Sequence, residues 1–214
     1  MRWWRIELSH HLILILLGTG CPVSEPPPSP LETVSRQLQA GNGKSWPVRF
    51  DIGLQGERVT VRVNIRVIPL EGVTHGEIDR HLPLWKQAIE THWGQSFALD
   101  AHDGSRYPLR VEVDFTPQHP HYEVMIHGAY AHTDMLNWNI TDKPDAVAHE
   151  FGHMLGAFDE YVGGMSDPNN RTLDTDSIMS GEPQKGRPEA RHLAQVAKWL
   201  SEKLGQDVRP LNVD

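Results

Sequence analysis

The chain has 214 residues, 38% of them hydrophobic and 22% charged, which suffices for one compact domain with appendages and is short for two. Twenty Lys and Arg against 28 Asp and Glu give a formal net charge of −8, which argues against a nucleic-acid-coating surface, so no nucleic-acid partner is expected. The single cysteine, Cys21, excludes an intramolecular disulfide and a thiolate-rich metal site, while the 13 histidines direct attention to metal or proton chemistry.

In chain order, Arg2 and Arg5 precede an apolar run, Leu12 to Leu17. The run is far shorter than the roughly 20 residues that span a bilayer and reads as a signal peptide. Leu17-Gly18-Thr19-Gly20-Cys21 then resembles the lipobox at which bacterial lipoproteins are cleaved and acylated. That resemblance implies loss of residues 1–20, lipidation of Cys21 and a membrane partner at the bacterial cell envelope. Gly18 stands where that pattern usually has Leu and Glu7 charges the leader, so secretion by ordinary cleavage is the alternative. Pro22 to Pro30 holds five prolines and suits a stiff spacer, giving an expected tether over 21–47 and a folded domain over 48–214, with its start between Leu31 and Val48.

Arg58 to Ile68 alternates Val59, Val61, Val63, Ile65 and Val67 with polar residues, the period of a strand with one wet face. Thr74 to Trp93 places Ile78, Leu82, Trp85 and Ile89 at helical spacing, with Thr74 as a cap, Gly94 as a stop and Pro83 as an expected kink or late start. Strands are expected at Leu109 to Phe115 and Tyr122 to Ala131, and helices at Pro144 to Leu155 and Pro188 to Leu204. The order is that of an α+β or α/β fold.

The segment that carries chemistry is His149-Glu150-Phe151-Gly152-His153-Met154-Leu155-Gly156-Ala157-Phe158-Asp159. At about 100° per residue, His149 and His153 lie about 40° apart on one helix face, with Val147, Ala148, Phe151, Met154 and Leu155 on the opposite arc. Two imidazoles one turn apart suit a Zn²⁺ ion, and Glu150 is placed to reach a water activated there. Gly156 can end the helix in a left-handed turn so that Asp159 supplies an oxygen ligand, with Glu160 next door as a competing candidate. This composition yields about 0.05 chance HExxH matches, and roughly 5 × 10⁻⁴ once the glycine and a final Asp or His are required.

The same run resembles the metzincin zinc peptidases, in the minority pattern typified by snapalysin-like bacterial enzymes where Asp replaces the third His. The resemblance covers about Arg49 to Gly205 in outline and implies an α+β zincin domain with a mixed twisted sheet, a long first helix, a zinc helix, a Met-turn and a C-terminal helix. Ser177-Ile178-Met179-Ser180 looks like the Met-turn, with Met179 as an apolar floor beneath the metal. Val124 to Ala131, including His127, Gly128, Ala129 and Tyr130, is placed to be a substrate-pairing edge strand, or else an ordinary sheet strand. The family's Tyr two residues after the Met is replaced by Gly181; Tyr161 is one candidate to stabilise the oxyanion instead.

Asp167, Asn169, Asn170, Asp174 and Asp176 could bind Ca²⁺ through oxygen ligands, but their spacing matches no EF-hand and a polar surface loop is the better reading. His119, His121, His127 and His132 form a looser cluster, read as edge and loop residues rather than a second metal site. The expected function is zinc-dependent hydrolysis of peptide bonds in a protein or peptide substrate, with Glu150 as the base. The rivals are an inactive zinc-containing surface binding lipoprotein and an amidase acting on peptidoglycan peptides.

Overall fold

The structure is a computed structural model that describes residues 30–94, 97–116, 118–128 and 132–213. The leader, Cys21 and most of the proline run lie outside the described residues, as do Ala129 and Tyr130. No helix of the described residues is long and apolar enough to cross a membrane.

Strands β1 (Glu32–Gln39) and β2 (Ser45–Gln55) open the fold as an antiparallel pair. The boundary expected at residue 47 is therefore corrected, because the sheet begins at Glu32, inside the stretch read as tether. The reason is visible in the burial. Strand β1 buries only Val34 and carries no apolar alternation, whereas β2 turns Trp46, Val48, Phe50 and Ile52 inward.

Strand β3 (Arg58–Pro69) is the hub of a mixed, curled sheet, and its Val59, Val61, Val63 and Ile65 are wholly buried. Its first half pairs antiparallel with β2, its middle runs parallel to β5 (Arg106–Phe115), and its last residues run parallel to β6 (Tyr122–His127). Strand β4 (Phe97–Ala101) joins β5 to β8 (Val208–Asn212), completing the order β1-β2-β3-β5-β4-β8.

Three α-helices complete the α+β fold. Helix α1 (His75–Trp93) starts where the Thr74 and Glu77 side chains cap each other's backbone, and it runs through Pro83 without ending there. It buries Ile78, Trp85, Ile89 and Trp93. Helix α2 (Pro144–Leu155) is buried from Val147 to Leu155 on all sides. The helix expected over Pro188 to Leu204 is shorter: a 3₁₀ turn at Ala190–Leu193, closed by reciprocal bonds between Glu189 and His192, precedes α3 (Ala194–Leu204). Glu189 is extended, so the helical backbone starts only after it.

Of the segment Val124 to Ala131, read as either an edge or an ordinary sheet strand, the described strand Tyr122–His127 is an inner one, paired on one side with β3 and on the other with a further strand. The short strand β7 (Asn137–Asn139) lies parallel along Met125–His127. The backbone of Asn137 is satisfied in both directions by Asp134, at 2.9 and 3.1 Å. On Asn139, the N–H donates to the Asp142 carboxylate at 2.6 Å and the carbonyl accepts the Asp142 N–H at 3.0 Å. Along β7, these turns occupy the outward backbone groups of Asn137 and Asn139.

Aromatic donors fix α2 to the scaffold through its carbonyls. Trp93 Nε1 donates to Ala148 O at 2.9 Å and Trp46 Nε1 to His153 O at 3.0 Å. The buried Tyr122 hydroxyl accepts the Arg49 N–H at 2.6 Å and lies 3.2 Å from both Pro47 O and Met154 O. Burial pushes its phenol pKa above the usual value, so the group stays protonated and can donate. Tyr122→Phe is expected to lower stability by about 1–3 kcal/mol, because it strands the Arg49 N–H. A lowered urea midpoint at unchanged slope is the measurement that checks it.

Candidate metal centre

The last two turns of α2 carry His149, Glu150 and His153, and the chain then reverses at Gly156, whose φ of 96° is the left-handed conformation glycine adopts without strain. The Gly156 and Ala157 N–H groups close the helix end on His153 O and Gly152 O, both at 3.0 Å. The reversed segment brings Asp159 back under the two imidazoles. His149 Nε2 and His153 Nε2 lie 3.3 and 3.4 Å from Asp159 Oδ1.

The other ring nitrogens define what those atoms are. His149 Nδ1 lies 2.8 Å from Ile178 O and His153 Nδ1 2.9 Å from Ala157 O. A carbonyl oxygen only accepts, so each Nδ1 carries a proton and each Nε2, the atom that would ligate a metal as a lone pair, faces inward. Asp159 Oδ2 accepts the Met165 N–H at 2.6 Å, whereas Oδ1 is buried without a hydrogen-bond partner. Two imidazole lone pairs and an orphaned carboxylate oxygen thus converge, all three within 4.8 Å of one another. Such a set is unfavourable when empty and complementary to a cation, so these residues could hold a metal ion. Burial alone would raise the Asp159 carboxyl pKa; with no metal bound, protons on the facing Nε2 atoms of His149 and His153, together with the Met165 N–H, reverse this and hold it well below the usual range.

Glycines absent from the sequence reading shape this cradle. A Cβ on Gly164 would lie 2.4 Å from Asp159 Cβ and 2.7 Å from its Oδ2, so the ligand sits where a side chain would be. A Cβ on Gly152 would meet Met179 Sδ at 2.6 Å and Trp93 at 2.8 Å, which places the buried Met179 directly against the metal helix. The loop Ser177–Ser180 therefore acts twice, packing Met179 on Gly152 and aiming the Ile178 carbonyl at His149.

Glu160 is not a competing ligand. Its carboxylate is buried and receives Arg191 at both oxygens, Nε at 2.6 Å and Nη2 at 2.8 Å, with His192 Nε2 3.2 Å away. Arg191 also reaches Asp174 at 2.6 Å, and the Glu160 N–H donates to Met179 O at 2.8 Å. The cluster joins the ligand loop, the Met179 loop and the turn before α3. Burial would raise the Glu160 carboxyl, but Arg191, His192 and Ser177 outweigh it and bring it to about 2.

Glu150 lies in a different setting. Burial pushes its carboxyl up to about 7; the His149 ring opposes this, and the charges of Asp159, Asp134 and Asp142 add to it. Its Oε1 stands 4.0 Å from His149 Nε2. Both residues line a cleft of about 230 Å³ together with Thr133, Tyr161, Ser180 and Gly181, so the buried cluster has an approach from solvent. The Tyr161 phenol is pushed up to about 12, by burial first and then by Asp159 and Glu150, so its O–H is retained at neutral pH.

The other sequence candidates are not brought together. Asp167 accepts the Asn169 N–H and Asp174 the Asp176 N–H, each an isolated turn. His121 contacts Asp51, His127 contacts Asn137, and His132 is exposed. Among the described residues, His149, His153 and Asp159 are the one group of His, Cys, Asp or Glu arranged to hold an ion. Comparison with protein-family models, curated proteins and solved structures finds no match to this chain.

Two outcomes test this geometry. Gly164→Ala is expected to displace Asp159 and weaken metal binding by roughly 10–100-fold, read by chelator competition. The second concerns pH. Because folding lowers the Glu160 carboxyl from 4.5 to about 2, the stability it contributes is present above pH 4.5 and lost as the pH falls toward 2. Denaturant titrations at successive pH values should show the gap between wild type and Glu160→Gln shrinking over that window.

Proposed function

We propose that the protein is a zinc-dependent endopeptidase with a metzincin-like arrangement, held at the bacterial cell envelope through a lipid on Cys21. The observation that carries the reading is the convergence of His149 Nε2, His153 Nε2 and Asp159 Oδ1, with His149 and Glu150 both lining a cleft. Two imidazoles and one carboxylate suit Zn²⁺, and a site built only for structure has no need of a solvent-facing base beside it. The HEFGHMLGAFD run and Met179 beneath the helix support the resemblance.

Bound there, the metal supplies Lewis acidity toward a carbonyl oxygen and lowers the pKa of a water. The chain's own residues do the rest. His149, His153 and Asp159 would hold the ion, and the cleft lined by His149 and Glu150 would receive the substrate. Glu150, raised toward neutrality, takes a proton from water at its carboxylate and delivers it to the leaving amine nitrogen. Tyr161, protonated and in the same cleft, is the O–H donor available to the carbonyl oxygen as negative charge develops.

The test is zinc content together with cleavage of casein by wild type and Glu150→Gln. The variant is expected to retain zinc and lose about 10²–10⁴-fold in kcat. Bound zinc with no hydrolysis of any peptide by either form would assign the chain to surface binding instead. Cleavage confined to peptidoglycan peptides would support the amidase.

A further inference from the structure

A separate cavity of about 480 Å³ is lined by residues of β3, β4, β5 and the end of α1, and it shares no lining residue with the cleft. The strand register explains its charge. Thr60 pairs with Arg110 and Arg62 with Glu112, so Arg58, Arg62, Arg110 and Glu112 stand on one face of the β3 and β5 pair. Glu112 receives Arg62 Nη2 at 2.9 Å on one oxygen and Arg110 Nε at 2.8 Å on the other. The Arg58 side chain has no ion pair or hydrogen bond among the described residues. Three guanidiniums therefore share one carboxylate, in a chain whose net charge is −8. The other charges in the wall cancel in pairs, Arg106 with Asp100 at 2.7 Å and Glu90 with Lys86 at 3.0 Å. Glu57, next to Arg58 in the chain, is outside the lining.

A surplus of guanidinium around a concavity suits an anion, and the fork of an arginine matches a carboxylate in two parallel bonds. Phe97, Ala98 and Pro108 line the same cavity, and Val213 adds an exposed apolar side chain. The fitting ligand thus carries its anionic group next to an apolar one. Glu90 and Glu112 narrow the class further, because their carboxylates repel a dianion such as phosphate and can accept an amide N–H. One carboxylate, one apolar side chain and one amide N–H within a single residue describe the end of a peptide.

We propose that this cavity binds the free C-terminal carboxylate of a peptide whose last residue is apolar. Arg58 and Arg110 take the carboxylate, and Phe97, Ala98 and Pro108 receive the side chain. The site stands apart from the peptidase reading, since none of its residues belongs to the metal centre or the cleft.

The experiment titrates the zinc-loaded full chain with N-acetyl-leucine, its amide, N-acetyl-glycine and inorganic phosphate, and follows backbone amide shifts by NMR. N-acetyl-leucine is expected to shift Ala98, Leu109 and Glu112, binding at least about tenfold more tightly than its amide and about threefold more tightly than N-acetyl-glycine. Arg58→Ser/Arg110→Ser should weaken N-acetyl-leucine at least about tenfold. The same variant should keep zinc affinity and the urea midpoint close to wild type, because exposed ion pairs contribute little to stability. Equal affinity for acid and amide, unchanged affinity in the double variant, or no binding at all overturns the site. Phosphate binding more tightly than N-acetyl-leucine at these amides also overturns it and gives the cavity to a phosphate-bearing ligand. So do shifts confined to His149, Glu150 and Tyr161, which would put the carboxylate on the metal centre. Binding at the cavity in a chain that cleaves no peptide supports the site and removes the peptidase reading alone.

Discussion

Two backbone carbonyls decide the chemistry of this site. Ile178 O and Ala157 O each hold one Nδ1 proton, and by doing so turn two imidazole lone pairs toward Asp159 Oδ1. Without those carbonyls either ring could swap tautomers and offer N–H to the carboxylate, making an ordinary buried hydrogen bond and no place for a cation. One carbonyl comes from the turn that ends α2, the other from a loop 29 residues downstream. The site therefore exists only when the helix cap and the Met179 loop are both in place.

Three carboxylates within twelve positions divide the work by environment. Asp159 is held ionised and keeps one oxygen bare. Glu160, its neighbour, is turned the other way and neutralised by Arg191. Glu150 has no cationic side chain as a partner, is desolvated, and is raised toward neutral pH. Residue type alone does not assign these roles. What separates them is what each faces: Asp159 the two imidazoles, Glu160 the Arg191 guanidinium, and Glu150 a buried wall of the cleft.

Much of this centre was legible in the sequence because its determinants are local. Two histidines four apart, an apolar arc behind them and a glycine at the helix stop are all set by the helical period and by one left-handed residue, so His149, His153 and the turn toward Asp159 follow from spacing. Strand β3 was legible for the same reason: a period of two is a local property. What escaped depends on tertiary approach. Gly164 reads as a loop glycine until the Asp159 side chain is seen in the space of its missing Cβ. The partner of Glu160 lies 31 residues away, at a position with no motif. Strand β1 buries one side chain, too few for a pattern, and β7 has three residues whose ladder is completed by Asp134 and Asp142.

The burial around α2 shows why the site can be both strained and stable. The helix is enclosed on every side, and Trp93, Trp46 and Tyr122 bind carbonyls along it, so the imidazoles stand on a support that does not depend on the ion. The loop from Ala157 to Ser180 is different: its links to the helix are Met179 on Gly152 and the Ile178 and Ala157 carbonyls on His149 and His153, while the Arg191 cluster ties Glu160 to the turn before α3. In that loop sits the bare Asp159 oxygen, facing two lone pairs. A cation placed between them would remove the one unbalanced contact in the cluster. The same loop carries Tyr161, which lines the cleft beside His149 and Glu150.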